Sequence, residues 1–333
     1  MNVSRYRIDF IALFIITIVQ VCTVNLTKIS TAFPGKTKAS SHYKRLQRFF
    51  RLFKFDEKVI ANLIIKFLSL EKLILSMDRT NWKFGKKNIN ILTVGIVYKG
   101  TCFPIIWMLL DKRGNSNTAE RIEIIDKCID IIGLERIDCL LADREFIGED
   151  WFGYLLEKKL LFYIRIKSNF TLENGKQVGT MFRNCKLQEE KTFKKKYRIC
   201  GHQLYLSGTR IKGDYLIIVT PKKPMQALTI YAKRWEIETL FGCLKTRGFN
   251  FEDTHLTKRE RVNTLFTLLA ISFCWAHMAG EWLHKIEPIK IKKHGRMAQS
   301  LFRYGLDFLK NILFNISEKF DLFVEMLNLV SCT

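Results

Sequence analysis

Residues 73–110 read LILSMDRTNWKFGKKNINILTVGIVYKGTCFPIIWMLL, and this stretch decides the fold. It contains three apolar runs, at residues 73–78, 91–98 and 102–110. Only a short break at Lys99 and Gly100 separates the second run from the third, which indicates a β-hairpin. The first run ends in Asp78. The stretch therefore predicts three consecutive strands, with an acid at the end of the first.

The residues that follow alternate between helical and strand patterns. The predicted elements are a helix over 118–132, a strand over 137–142, a helix over 148–159 and a strand over 161–167. The order β-β-β-α-β-α-β is that of a ribonuclease H-like core, an α/β fold. In such a sheet the first and fourth strands are neighbours. Asp78 and Asp143 should therefore lie close together, although 65 positions separate them.

A second informative stretch is YAKRWEIETLFGCLK at residues 231–245. Its composition favours one helix, on which Tyr231, Arg234, Glu238 and Lys245 would share a stripe roughly 60° wide. A phenol, a guanidinium, a carboxylate and an ammonium make a poor core face, but they suit a metal ion and a phosphodiester. The alternative interpretation is a solvated helix face that carries a Glu–Arg pair.

Three acids are candidates for phosphodiester chemistry, which needs carboxylates that converge from different elements. Asp78 and Asp143 follow predicted neighbouring strands, and Glu238 would arrive from a helix packed on their sheet. Each acid also has a structural interpretation. Asp78 could be a turn acid at a strand end, and Asp143 could be a partner of Arg144. Their joint placement favours a shared metal site.

The spacing Tyr-x2-Arg-x3-Glu-x6-Lys resembles the C-terminal motif of the insertion-sequence 4 family of bacterial DDE transposases. DRTNW at 78–82 and ADREF at 142–146 are similar to that family's segments around its first and second acids. The similarity covers most of the chain, from the basic N-terminal segment to HGRMAQSLFRYGLD at 294–307.

The resemblance implies a cut-and-paste DNA transposase. Asp78, Asp143 and Glu238 would be catalytic and would hold two Mg²⁺ ions, with Mn²⁺ as a substitute. Tyr231 and Arg234 would position the DNA end, and Lys245 would contact phosphate. Joining two DNA ends implies a homodimer on double-stranded DNA. For Trp235, stacking on an extruded base competes with a role as a core aromatic residue.

The charge of the chain also points to DNA. The 333 residues carry 55 Lys and Arg against 32 Asp and Glu, a net charge of +23. Such an excess repels itself unless an anionic polymer neutralises it. Basic residues are concentrated at 28–58 and at 190–223. Within the first region, an amphipathic helix with Ser41 as its N-cap would present a basic face to DNA. The predicted DNA contacts on that face are Lys44, Arg45 and Arg48.

Two further features bear on location. Residues 10–24, FIALFIITIVQVCTV, are nearly all apolar but shorter than the ~20 residues that span a bilayer, so we predict a buried helix and no membrane segment. Nine scattered cysteines without CxxC spacing indicate reduced thiols and argue against a zinc site. Together these features predict a cytoplasmic protein, and the resemblance implies a bacterial one associated with the nucleoid.

The chain divides by pattern into five predicted regions. These are a helical DNA-binding domain at 1–70, the first part of the core at 71–167, a small antiparallel β insertion at 168–224, the rest of the core at 225–283 and a basic helical region at 284–333. Two other functions stay open: a nuclease of the same fold without strand transfer, and an inactive DNA-binding remnant. A protein of the membrane surface is a more distant alternative.

Overall fold

The computed structural model describes residues 4–293 and 295–331. The chain forms two compact units, called here the helical unit and the sheet unit. The helical unit comprises Met1–Ser69, Asn81–Ile89 and Thr239–Thr333, and the sheet unit comprises Leu70–Thr80 and Asn90–Glu238. His294, the first residue of the stretch 294–307, and Cys332 lie outside the described residues. The cysteines within the described residues are free thiols, as predicted.

The helical unit begins with four helices. They are α1 (Arg5–Val21), α2 (Leu26–Ala32), α3 (Ala39–Leu52) and α4 (Glu57–Leu68). Side-chain caps set two of the starts: Asn25 accepts from the backbone N–H groups of Thr27 and Lys28, and Asp56 caps α4 in the same way. Such caps satisfy backbone donors that have no partner within the helix.

The apolar run at 10–24 forms a buried helix, as predicted. Phe10, Phe14 and Ile18 are almost fully buried, and the ring of Phe10 contacts those of Phe33 and Phe49. The helix ends earlier than the apolar run, because Cys22 adopts a left-handed conformation. The burial is not confined to residues 1–70, since the unit's C-terminal helices also pack on α1.

The predicted amphipathic helix is α3. Its start was predicted wrongly: it begins at Ala39 with Lys38 as the N-cap residue, and Ser41 lies within the first turn. Leu46, Phe49 and Phe50 form its buried face. The apolar and basic faces therefore exist, although the helix starts three residues earlier than predicted.

The middle of the chain builds one sheet and its covering helices. In chain order the elements are β1 (Leu73–Phe84), β2 (Lys87–Tyr98), β3 (Thr101–Leu109), α5 (Thr118–Ile132), β4 (Ile137–Ala142), α6 (Glu149–Glu157), β5 (Phe162–Ile166), β6 (Glu190–Ile199), β7 (His202–Ile211), β8 (Asp214–Thr220), α7 (Ala227–Ala232) and α8 (Trp235–Leu244). The spatial order of the strands is β3-β2-β1-β4-β5-β8-β7-β6.

The first five strands have the predicted arrangement. β2 and β3 form the antiparallel hairpin with its turn at Lys99 and Gly100, and both turn residues have positive φ. β4 lies between β1 and β5 and is parallel to both. β1 and β4 are therefore neighbours, as the predicted core requires.

The predicted β insertion is antiparallel but is continuous with the core sheet. β8 pairs with β5, β7 with β8, and β6 with β7, all antiparallel. β6 therefore forms an edge of the eight-stranded sheet. This continuity was not predicted, because pairing between distant strands leaves little mark on local sequence.

Three further helices complete the helical unit: α9 (Arg259–Ile286), α10 (Leu301–Phe314) and α11 (Phe320–Asn328). Among the described helices, α9 alone is long and apolar enough to cross a bilayer by itself, and 83% of its most apolar window is buried. α1 and α2 pass the same test only as a pair, and they are bent by 102°. The burial of α9 is typical of a core helix.

α9 and α10 cross at two glycines. A methyl group on Gly280 would meet the backbone oxygen of Leu301, and one on Gly305 would meet that of Ala276. The two backbones are therefore in direct contact at this crossing, where no side chain fits.

Gly280→Ala is expected to destabilise the protein by about 1–3 kcal/mol, because the added methyl group must push the helices apart. Gly153→Ala on α6 is the matched control, since its methyl group would meet only the ring of His202 at 3.4 Å. Alanine favours a helix, so the control should be neutral or stabilising. Equal midpoints of chemical unfolding for the two variants would contradict the close crossing.

Candidate active site

The first two acids follow the last paired residues of two parallel strands. In the register of β1 and β4 the final pair is Met77 with Ala142, and the next residues are Asp78 and Asp143. The carboxyl ends of parallel strands lie at one edge of a sheet, so both acids stand side by side at that edge. Asp78 was predicted to end its strand. That prediction is wrong, because β1 continues to Phe84.

The predicted single helix over 231–245 is two helices. Tyr231 lies in α7, Arg234 lies in the connection, Glu238 lies in α8, and Lys245 follows α8. Around the connection the backbone bonds span three residues, as in Arg234 N–H to Tyr231 O at 2.9 Å. A three-residue turn brings residues i and i+3 to the same side. The break therefore keeps Tyr231 and Arg234 together.

Arg234 links two of the acids. Its Nη1 donates to Oδ2 of Asp78 at 3.3 Å, and its Nη2 donates to Oε1 of Glu238 at 2.6 Å. The arginine is 7% exposed, so these ion pairs are shielded from solvent. The hydroxyl of Tyr231 donates to Oδ1 of Asp143 at 3.4 Å. The guanidinium of Arg234 lies 5.8 Å from the ring centroid of Tyr231, so all five side chains belong to one connected cluster in the sheet unit.

Asp78 is the acid most perturbed by the cluster. Burial, helped by repulsion from Asp143 and Glu145, raises the pKa of its carboxyl from 3.8 to about 7. The backbone N–H of Arg79, 2.7 Å from Oδ1, and the charge of Arg234 oppose this rise. A carboxyl held in this way gains from any added cation, which would stabilise its charged form.

Two further predicted site residues have other surroundings. The ring centroid of Trp235 lies 5.9 Å from the guanidinium of Arg234, at the edge of the cluster. The side chain of Trp235 is 63% exposed, so it is available for stacking and is not a core aromatic residue. In the helical unit, Lys245 pairs with Glu252 at 2.7 Å and lies 5.4 Å from the ring centroid of Trp82. The side chain of Lys245 is therefore held by partners of its own unit.

The predicted DNA contacts on α3 differ in their surroundings. Lys44 and Arg48 are exposed. The guanidinium of Arg45 lies 4.8 Å from the ring of Tyr6 and 4.5 Å from that of Phe10, so it is stacked on aromatic faces. Lys44 and Arg48 are thus freer to reach an anionic partner than Arg45 is.

The sequence reasoning did not single out three polar residues of the sheet unit. Arg79 and Glu145 form an ion pair beside Asp78 and Asp143, and Glu236 accepts from backbone N–H groups of the β2–β3 turn. Burial raises the pKa of the Glu236 carboxyl to about 7. A weak signal existed, because Arg79 directly follows one acid and Glu145 lies two positions after the other.

Comparison with known proteins assigns the family. Residues 69–275 match the transposase DDE domain family, and this range covers more than half of the chain. The chain therefore belongs to the transposase DDE domain family, whose activity is DNA transposition. A comparison with curated proteins finds no match.

Solved structures extend this result to the fold. The synaptic complex of piggyBac transposase with hairpin DNA matches over 99% of this chain and 77% of that one, with 14% identity and a TM-score of 0.51. This likeness supports the predicted ribonuclease H-like fold. Endonuclease V from Bacillus subtilis matches more weakly, with 9% identity over 72% and 94% of the two chains and a TM-score of 0.27.

Membership of the DDE family indicates a divalent metal ion, and the donor chemistry fits one. Asp78, Asp143 and Glu238 are oxygen donors of the kind that hard cations prefer. Within residues 4–293 and 295–331, however, no group of three His, Cys, Asp or Glu side chains is arranged to hold an ion. Instead the guanidinium of Arg234 lies between Asp78 and Glu238 and supplies the positive charge.

Proposed function

We propose that this chain is a cut-and-paste transposase of the insertion-sequence 4 type. The observation that carries the proposal is the single cluster of Asp78, Asp143 and Glu238 with Tyr231 and Arg234. These residues are also the ones whose spacing resembles that family's motifs. The reaction cleaves DNA at the ends of the element and joins the freed 3′ hydroxyl to target DNA.

Asp78, Asp143 and Glu238 are proposed as the catalytic ligands. They would hold two Mg²⁺ ions, for which Mn²⁺ can substitute, and the ions would supply an activated oxygen nucleophile and neutralise charge on the phosphate. Glu238 must then exchange its bond to Arg234 for a ligand bond. The side chain of Glu238 has more room to move than that of Asp78, because it is 36% exposed and that of Asp78 is 17% exposed.

Arg234 and Tyr231 are proposed to hold the DNA end. A guanidinium that donates to two carboxylates can donate equally to two phosphate oxygens, with matching planar geometry. The Tyr231 hydroxyl would orient Asp143 or the end phosphate. Trp235, exposed beside Arg234, would stack on a base, and Lys245 would contact phosphate once released from Glu252.

The basic regions are proposed to contact the DNA backbone. On the edge strand β6, Lys194, Lys195 and Lys196 are exposed where the pairing with β7 is irregular. On α3, Lys44, Arg45 and Arg48 form the second surface. The proposed division of labour follows the predicted regions: DNA binding by 1–70, backbone contact by 168–224, and chemistry with positioning of the DNA end by 71–167 and 225–283.

Replacing Lys194, Lys195 and Lys196 with Gln is expected to weaken DNA binding and to flatten its salt dependence. The slope of log K against log salt is negative, and each lost phosphate contact should reduce its magnitude by about 0.9. The matched control is Lys127, Lys158 and Lys159→Gln on and after α5 and α6. Fluorescence anisotropy at several salt concentrations measures both. An unchanged slope would indicate that these lysines only protect the sheet edge from aggregation.

The test of the proposed function is a strand-transfer assay with the element's terminal DNA, a target plasmid and Mg²⁺. Joined products support transposition, whereas cleaved ends without joined products support the nuclease alternative. Binding without cleavage would support the inactive remnant. Asp143→Asn is the control for a contaminating nuclease, because it should abolish every product.

The same proposal includes assembly and location. Two element ends require two active sites, so the chain should be a homodimer when DNA is bound, which light scattering of the complex would measure. It should act in the cytoplasm on the nucleoid. Recovery of the intact protein in a salt-resistant membrane fraction would contradict this location.

A further inference from the structure

The pairing of β1 with β4 ends immediately before Asp78 and Asp143. Beyond these acids, an ion pair between Arg79 and Glu145 joins the two chain segments. Nε of Arg79 donates to Oε1 of Glu145 at 3.3 Å, and Nη2 donates to Oε2 at 3.2 Å. This is a fork-to-fork geometry, which fixes orientation as well as distance. Arg79 directly follows Asp78, and Glu145 is two residues beyond Asp143.

The arginine side of this pair is anchored. Nη1 of Arg79 donates to Oδ1 of Asn90 on β2 at 3.1 Å, and Asn90 in turn donates to the carbonyls of Lys112 and Gly114. Asn90 is 1% exposed and Arg79 has only 12% of its side chain exposed. The guanidinium is therefore held in one orientation by a buried amide.

The glutamate side is anchored through the backbone. Nη2 of Arg121 on α5 donates to the carbonyl oxygen of Glu145 at 2.8 Å, and Nη1 donates to that of Ile147 at 3.2 Å. The N–H of Phe146 donates to the carbonyl of Asp143 at 2.9 Å, which closes the turn. The turn that carries Asp143 is thus fixed to β1 through the side chain of Glu145. It is fixed to α5 through backbone carbonyls that accept from Arg121.

We propose that the Arg79–Glu145 pair is a positioning clamp that sets the separation of the Asp78 and Asp143 carboxylates. This proposal rests on the proposed function, because it assigns the clamp to the same acids. The side chains of Arg79 and Glu145 are not among the three proposed metal ligands. Glu145 would also remain an uncompensated charge beside Asp78 without Arg79, so the clamp holds the two acids together at low electrostatic cost.

The proposal predicts that Glu145→Gln weakens metal binding more than it weakens the fold. The amide keeps the shape but loses the charged fork, so the affinity for Mn²⁺ measured by calorimetry should fall at least tenfold. In DNA cleavage, kcat should fall while KM for the DNA changes less than twofold. Glu145→Asp should recover part of the affinity, because it restores the charge at a shorter reach.

The matched control is Asp126→Asn. Asp126 accepts from the hydroxyl of Tyr154 at 2.8 Å and pairs with Lys158 at 3.3 Å, and this link joins α5 to α6 in the same unit. The Asp126→Asn substitution should lower the midpoint of thermal unfolding about as much as Glu145→Gln does, and it should leave the Mn²⁺ affinity unchanged. If the two variants lose equal affinity, the clamp is only a stabilising ion pair.

Two further measurements keep the alternatives apart. Arg79→Lys retains the positive charge without the forked guanidinium and should weaken Mn²⁺ binding as Glu145→Gln does. This variant tests the clamp if the Glu145→Gln variant does not fold. Normal Mn²⁺ affinity in a folded Arg79→Lys variant would overturn the clamp. If the Asp78→Asn variant binds Mn²⁺ as tightly as the wild type does, the proposed metal site itself fails, and the clamp fails with it.

Discussion

Glu238→Gln is expected to lower DNA cleavage by roughly 100-fold or more while the fold and DNA binding persist. The amide keeps the size of the side chain and can still accept from Arg234, but it loses the negative charge required of a metal ligand. Cleavage of labelled terminal DNA under single-turnover conditions measures the loss, and anisotropy measures the binding.

The matched control for this change is Glu123→Gln. Glu123 pairs with Lys127 one turn along α5 at 3.2 Å, as Glu238 pairs with Arg234 one turn away. An exposed helix pair of this kind contributes about 0.3–0.5 kcal/mol and carries no chemistry, so cleavage should be unchanged. Near-normal cleavage by Glu238→Gln would reduce Glu238 to the same role and would remove the basis of the proposed site.

Arg234→Ala should separate two roles that the structure combines. Loss of the guanidinium removes the partner of Asp78 and Glu238 and also the proposed contact with the DNA end. Strand transfer should therefore fall, whereas Mn²⁺ affinity should persist or rise because no guanidinium competes for the carboxylates. A parallel loss of metal affinity would instead assign Arg234 a purely structural role in the cluster.

The second large effect concerns the stability of the metal-free protein against pH. The pKa of Asp78 is about 7 in the folded protein against 3.8 as the reference. Between about pH 4 and pH 7 the folded state keeps a proton that the unfolded state has lost. The contribution of Asp78 to stability is thus full below about pH 4, declines as pH rises, and is lost above about pH 7. The total decline is a few kcal/mol at most.

Asp78→Asn should abolish this decline, because the amide remains neutral. In EDTA at pH 8 the variant should have a higher midpoint of thermal unfolding than the wild type, although it cannot cleave DNA. Asp214→Asn is a control of opposite sign, because hydrogen bonds from the Tyr215 N–H and Ser168 lower the pKa of Asp214. Its wild-type contribution is present above the unfolded pKa and is lost as pH falls.

A lower midpoint for Asp78→Asn than for the wild type at pH 8 would contradict this assignment. The expected gain has a functional meaning. Burial and repulsion from Asp143 and Glu145 oppose the charge on Asp78, and Arg234 compensates these effects only in part. Such a site is less stable without its cation, so binding of the cation should stabilise the folded state.

Much of the sheet unit follows from local sequence. The helix predicted over 118–132 coincides with α5, because Asn117 and Glu120 form a capping box at its start and Gly133 follows its end. The strand predicted over 137–142 coincides with β4. Caps and apolar periodicity act over a few residues, so they are legible in one chain.

The candidate acids were also accessible from sequence, since a parallel neighbour of the first strand places Asp143 beside Asp78. The three-residue spacing of Tyr231 and Arg234 and the four-residue spacing of Arg234 and Glu238 predict proximity whether the helix is continuous or broken. The motif therefore indicated that Tyr231, Arg234 and Glu238 are neighbours, although its predicted helix was wrong and Lys245 is paired with Glu252 in the helical unit.

Other features were decided only by tertiary structure. No proline or glycine marks the break between α7 and α8, which coincides with the burial of Arg234 against Asp78, 156 positions earlier. The extension of the sheet by β8, β7 and β6, and the pairing of Arg79 with Glu145, likewise join distant segments. Local sequence determined the elements and the acids, whereas contacts between segments distant in the chain, whose energies depend on packing and burial, determined the cluster that they form.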